Sequence, residues 1–101
     1  MVRIRSVQPL GEFQVRLGLT DGSVVERDLR ELISGRVFEA LRADPSAFRS
    51  VTVEAGTLTW PNGADLCPDV VIWGGEPPAD ESERPPVRLR VKWPGAAHEA
   101  A

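Results

Sequence analysis

The sequence predicts an α+β domain: a small antiparallel or mixed sheet, built from a three-stranded meander, helices and a second hairpin, with the short helices packed on one face. Three observations carry this expectation. Period-two alternation dominates residues 2–27, helical spacing with capping residues replaces it over 29–49, and alternation returns from Val51 to Trp60.

The first strand is expected where Val2, Ile4 and Val7 alternate with Arg3 and Arg5, with Pro9 ending the run. Phe13, Val15, Leu17 and Leu19 then alternate with Gln14, Arg16 and Gly18 as a half-buried strand. Asp21-Gly22 between two apolar runs is a hairpin signal, because glycine accepts the positive φ that the turn needs. Val24 and Val25 open the return strand, which ends near Glu26-Arg27.

Asp28-Leu29-Arg30-Glu31 has the arrangement of a capping box, so a helix is expected from Leu29, burying Leu29, Leu32 and Ile33. Gly35 stops it, and Val37, Phe38 and Leu41 restart a helical stripe. Asp44-Pro45 supplies an N-cap followed by proline at the first helical position and brings Phe48 inward. Two or three short helices over 29–49 result. Val51 and Val53, the Ala55-Gly56 turn and Thr57-Leu58-Thr59-Trp60 make the second hairpin of what is read as one sheet. The apolar block Val70–Trp73 is strand-sized.

Past Gly74-Gly75 the character changes. Residues 76–86 hold four of the nine prolines and four acids, a composition that reads as an extended linker. The expected division is a compact domain over 1–75 and a Pro-rich acidic tail over 76–101. Within that tail Val87-Arg88-Leu89-Arg90-Val91-Lys92-Trp93 alternates strictly, with Arg88, Arg90 and Lys92 on one side. Three readings stay open for this segment: an extra edge strand at 87–93 on the domain's own sheet, a strand added to a partner's sheet, or a weak nucleic-acid contact.

Composition narrows the function classes. The chain of 101 residues is 42% hydrophobic and 27% charged with net charge −3, which fits one globular domain and excludes a bulk polycation. No apolar run is long enough to span a bilayer, so no membrane association is expected. Met1-Val2-Arg3-Ile4-Arg5 lacks the apolar region of a secretory signal, and a single cysteine suits a reducing compartment; the expected location is the cytoplasm. A chain this small, needing its large side chains for one core, has little room for an enclosed site. No catalytic residue, cofactor or metal is therefore expected. Cys67 and His98 are read as an inert thiol and a terminal imidazole rather than a dyad.

Trp60-Pro61-Asn62-Gly63-Ala64-Asp65-Leu66-Cys67-Pro68-Asp69 is dense in residues with special backbone demands. Pro61 and Asn62-Gly63 shape a turn, and Asp65 and Asp69 share a side if the following turn is helical. Trp60 is either an interface anchor or the lid of a small core. The functional reading makes Trp60, Asn62, Asp65 and Asp69 a partner-facing loop, with Arg88, Arg90, Lys92 and Trp93 as a second partner-binding segment. Magnesium between Asp65 and Asp69 is the minor reading, because carboxylate-held Mg²⁺ usually comes with substrate phosphates and no phosphate cradle is present.

Phe13 through Asp21-Gly22, Asp28-Leu29, the Phe38, Leu41, Asp44-Pro45, Phe48 spacing and Trp60-Pro-Asn-Gly-Ala-Asp-Leu-x-Pro-Asp together resemble the bacterial domain-of-unknown-function family numbered 2442, over roughly residues 1–73. That resemblance implies a compact α+β domain and a small companion protein in a toxin–antitoxin-like pair. It carries over no catalytic residue. The sequence has a Pro-rich tail and no helix-turn-helix pattern after the domain. The expected function is a non-catalytic protein-interaction module, an antitoxin-like or regulatory partner of a small companion protein. The alternative is a nucleic-acid-associated regulator using the basic face of 87–93 and the sheet arginines Arg3, Arg5 and Arg16.

Overall fold

Alternation becomes pairing in the first thirty residues of the structure, a computed structural model that describes residues 2–33, 35–80 and 82–91. Strands β1 (Ile4–Gly11), β2 (Gln14–Leu19) and β3 (Val24–Asp28) form the expected antiparallel meander. Their inward residues Ile4, Val15, Leu17, Leu19 and Val25 are buried, while Arg16 and Glu26 point outward from the same sheet. The β2–β3 turn closes as its residues dictate: Gly22 takes φ +90° and the Asp21 carboxylate accepts from the Ser23 N–H at 2.9 Å. Pro9 does not end β1, which runs on to Gly11 with Pro9 opposite Val15. β1 is the sheet's edge, where a missing N–H can face away from the ladder.

The helix expected from Leu29 does not form. Asp28 is still paired in β3, and its carboxylate accepts from the Arg30 N–H at 3.0 Å, a turn in place of a capping box. The Leu32 and Ile33 N–H groups both donate to the Leu29 carbonyl, giving one turn only. Gly35 at φ +86° ends the segment before a ladder can extend. The burial of Leu29, Leu32 and Ile33 is nonetheless as expected. A 3₁₀ turn (Arg36–Phe38) leads into helix α1 (Glu39–Ala43), followed by α2 (Pro45–Arg49). The Asp44 carboxylate caps α2 by accepting from the Ser46 N–H at 2.9 Å, and Phe48 is fully buried.

The second hairpin, β4 (Thr52–Glu54) and β5 (Thr57–Thr59), turns through Ala55 and Gly56 at φ +51° and +80°. Two successive positive-φ residues match the twist of the strands they join. This hairpin does not extend the first sheet. A turn over Trp60–Ala64 reverses the chain and lays β6 (Asp65–Leu66) antiparallel to β5, so a second, three-stranded sheet forms.

Val70–Trp73 is helical, not extended: α3 (Pro68–Trp73) starts with proline in its first turn and stops at Gly74, φ +80°. The chain then returns as β7 (Arg88–Arg90), parallel to β3, completing a sheet of order β1-β2-β3-β7. Within the expected 87–93 segment, Arg88–Arg90 thus pair on the domain's own sheet, while residues 92 and 93 lie outside the described residues. Val91 is fully buried behind it. No helix among the described residues is long and apolar enough to cross a membrane.

Candidate functional site

Trp60 belongs to the core. It is 3% exposed, lies edge-on to Phe38 at 6.2 Å between ring centroids and tilts against Phe48 at 5.8 Å. Its indole Nε1–H donates to the Phe48 carbonyl at 2.9 Å, which satisfies the polar end of the ring inside the protein. Nothing of it is left to anchor a partner, so of its two sequence readings the lid of the core is the one found. Asn62 stays exposed, its Oδ1 accepting from the Ala64 N–H at 3.0 Å to tighten the turn. Asp65 is exposed on β6 opposite Thr59, and Asp69 is half-buried in the first turn of α3. The expected helical face shared by these two aspartates is absent, because Asp65 is a strand residue and α3 begins only after Cys67. Among the described residues no group of three or more His, Cys, Asp or Glu side chains gathers in a way that could hold a metal. Cys67 is exposed. His98, Lys92 and Trp93 lie outside the described residues.

The sequence reading missed Arg27. It is 1% exposed, on the inward side of β3 next to Val25. Its guanidinium lies among main-chain carbonyls. Nε donates to Val71 O at 2.7 Å, Nη2 to Ile72 O at 2.7 Å, and Nη1 to Glu26 O at 2.7 Å and Val87 O at 3.5 Å. Val71 and Ile72 sit in the last turn of α3, where carbonyls lack intrahelical donors and the helix dipole is negative. Arg27 therefore fastens the end of α3, the start of β7 and the middle of β3 with one side chain. Desolvation draws its pKa down to about 10, which leaves it charged at neutral pH. Period two from Val25 already places residue 27 inward, so its position was readable even though its chemistry was not.

On the opposite, outward side of β2, β3 and β7 the strand register lines charges up in rows. Arg16 lies across from Glu26, and Glu26 across from Arg88; Gln14 lies across from Asp28, and Asp28 across from Arg90. Glu26 is shared, with Oε2 3.2 Å from Arg16 Nη2 and Oε1 3.5 Å from Arg88 Nε, while Arg90 Nε stands 4.0 Å from Asp28. The Arg88 and Arg90 side chains remain 83% and 70% exposed. Between the rows runs an open trough of about 270 Å³, lined by Gln14, Glu26, Asp28, Arg88 and Arg90 over the strands at Arg27 and Leu89. Of the predicted partner-binding residues, Arg88 and Arg90 are thus brought together on one surface, and Glu26 and Asp28 join them unannounced. A second trough, about 300 Å³, lies between Trp73, Val2 and the Pro77-Pro78 segment.

The family model described as "Protein of unknown function (DUF2442)" matches residues 4–76. The chain belongs to that family. No curated protein and no solved structure matches it. The matched stretch of this DUF2442 chain takes in the meander, the helices, the second sheet and α3. β7 lies wholly beyond the match, and the charged trough it completes lies partly beyond it.

Proposed function

We propose that this DUF2442 chain is a non-catalytic protein-interaction module, acting in a bacterial cytoplasm as a regulatory, antitoxin-like partner of a small companion protein. The observation that carries this reading is the outward face of β2-β3-β7, where two cross-strand rows end on the exposed guanidiniums of Arg88 and Arg90. Exposed arginines in fixed register on a rigid sheet suit recognition of a complementary surface. Asn62 and Asp65, exposed on the tight turn and β6, offer a second polar contact.

Nucleic-acid binding is less well supported by the same face. Arg16, Arg88 and Arg90 alternate with Glu26 and Asp28, so the face is a short mixed-charge array with too few cations in line to track a phosphate backbone. A mobility-shift titration at low salt with no retarded species agrees with this; a shift that weakens steeply with salt reverses it.

The direct test is capture from native extract with the tagged full chain, beside the double variant Arg88→Glu/Arg90→Glu. One companion retained reproducibly by the natural chain and lost by the variant, at unchanged melting temperature, is the expected result. Absence of any reproducible companion on the natural chain overturns the proposal.

A further inference from the structure

Among the described residues the backbone of β7 has a free side. Val87 O accepts from Glu26 N–H at 2.7 Å, and Val91 N–H donates to Asp28 O at 3.0 Å. In a parallel ladder alternate residues bond the partner strand, so the N–H and C=O groups of Arg88 and Arg90 face away from β3. β7 is the terminal strand of its sheet, so these groups form an open edge among the described residues.

Charge on that edge is ordered. Across the sheet the first row reads Arg16, Glu26, Arg88, alternating in sign from strand to strand, and the second reads Gln14, Asp28, Arg90. Both rows stop on a cation whose outer flank is exposed. Opposite charges directly across from one another stabilise paired strands and like charges oppose pairing. The next strand in each row is thereby specified as acidic. On the inner side Leu89 is half-buried and packs against the core, so the residue between the two acids meets an apolar neighbour.

We propose that the open edge of β7 takes up an extended segment of a partner protein as a fifth strand, acidic at alternate positions facing Arg88 and Arg90 and apolar between them. This deepens the interaction-module reading and rests on it. A second copy of the chain is the wrong occupant: antiparallel pairing of two β7 edges about Leu89 would set Arg88 of each copy against Arg90 of the other. The same arginines that invite an acidic strand therefore block self-addition.

The test is an amide-shift titration of the full chain with a capped heptapeptide of alternating Glu and Val at millimolar concentration, beside its Lys/Val counterpart. Shifts centred on the amides of Arg88 and Arg90 are expected, with the Lys peptide binding about tenfold or more weaker. Arg90→Pro removes an outward N–H without touching the β3 ladder and should abolish the shifts; Arg88→Glu/Arg90→Glu should reverse the preference between the peptides. Shifts centred elsewhere, no difference between the two peptides, or no binding at all overturns the edge site. Concentration-dependent dimerisation through β7 overturns it as well. Loss of companion capture in the charge-reversed variant, with the Glu peptide inert, keeps the interaction module and discards strand addition. Peptide binding without any captured companion does the opposite.

Discussion

Replacing Arg27 with methionine keeps most of the apolar stem and deletes every donor of the guanidinium. Two of its acceptors, Val71 O and Ile72 O, are reached at 2.7 Å by buried bonds. Leaving a buried acceptor unsatisfied costs about 1–3 kcal/mol, so two give about 2–6 kcal/mol. Relief from burying an uncompensated charge works the other way and removes part of that loss, since well-packed apolar replacements of buried charges are often tolerated. We expect the loss to win, at about 3 kcal/mol, because both helix-end carbonyls lose a buried donor, while Glu26 O, at 2.7 Å, keeps its ladder bond to β7 and adds little to the loss. A domain of this size has about 5–15 kcal/mol in total, and each kcal/mol moves the melting temperature by about 4–8 °C. Urea unfolding followed by tryptophan fluorescence should therefore show a much lower midpoint at unchanged slope. Arg27→Lys should fall between the two, since one ammonium cannot reach successive carbonyls as a planar fork does. An Arg27→Met loss below about 1 kcal/mol, or any gain, would show that desolvation outweighs the carbonyl contacts and that Arg27 is no clamp.

Changes at three further sites test the core, a helix stop and a turn. Trp60→Phe should lose about 1–2 kcal/mol, through the indole bond to Phe48 O and the lost ring volume, and Trp60→Ala about 3–5 kcal/mol, both read from urea midpoints. Gly74→Ala places a Cβ 3.3 Å from Leu89 Cδ2 at φ +80° and should cost about 1 kcal/mol or more in the same assay. Bonds from the Ser23 hydroxyl and N–H, aided by Arg84, hold the Asp21 carboxyl below its ordinary 3.8. That contribution is complete above 3.8 and disappears as pH falls through the lower folded value, so Asp21→Asn should flatten the acid limb of a stability–pH curve.

Elements governed by neighbouring residues were legible in the sequence. The Asp21-Gly22 and Ala55-Gly56 turns, the Asp44 cap and the inward sides of β2 and β3 follow from local backbone preference and period two. What escaped depended on distant partners. Residues 70–73 are β-branched and aromatic, yet the flanking Pro68 and Gly74 and the Arg27 side chain at the far end make them helical. Asp28 carries a capping pattern, but pairing with Arg90 holds it in a strand. For the site, the cations of β7 were visible by alternation, whereas their pairing with Glu26 and Asp28 required the β3–β7 register. Trp60 drew attention for its company of turn residues, although that company only steers its ring toward Phe38 and Phe48.

The two faces of β3 divide the labour of this domain. Inward, Arg27 reaches helix α3 and the approach to β7, so the chain beyond the family match is held from within the matched region. Outward, Glu26 and Asp28 stand beside Arg88 and Arg90 with exposed contacts of 3.5 Å and 4.0 Å. Exposed ion pairs of that length contribute little to stability. The buried guanidinium and the main-chain ladder therefore hold β7 in place, and among the described residues the surface arginines make only these loose contacts. A strand fixed from behind, with its charges only loosely engaged in front, suits the proposed uptake of an acidic segment, because that step asks nothing of the contacts that hold the fold.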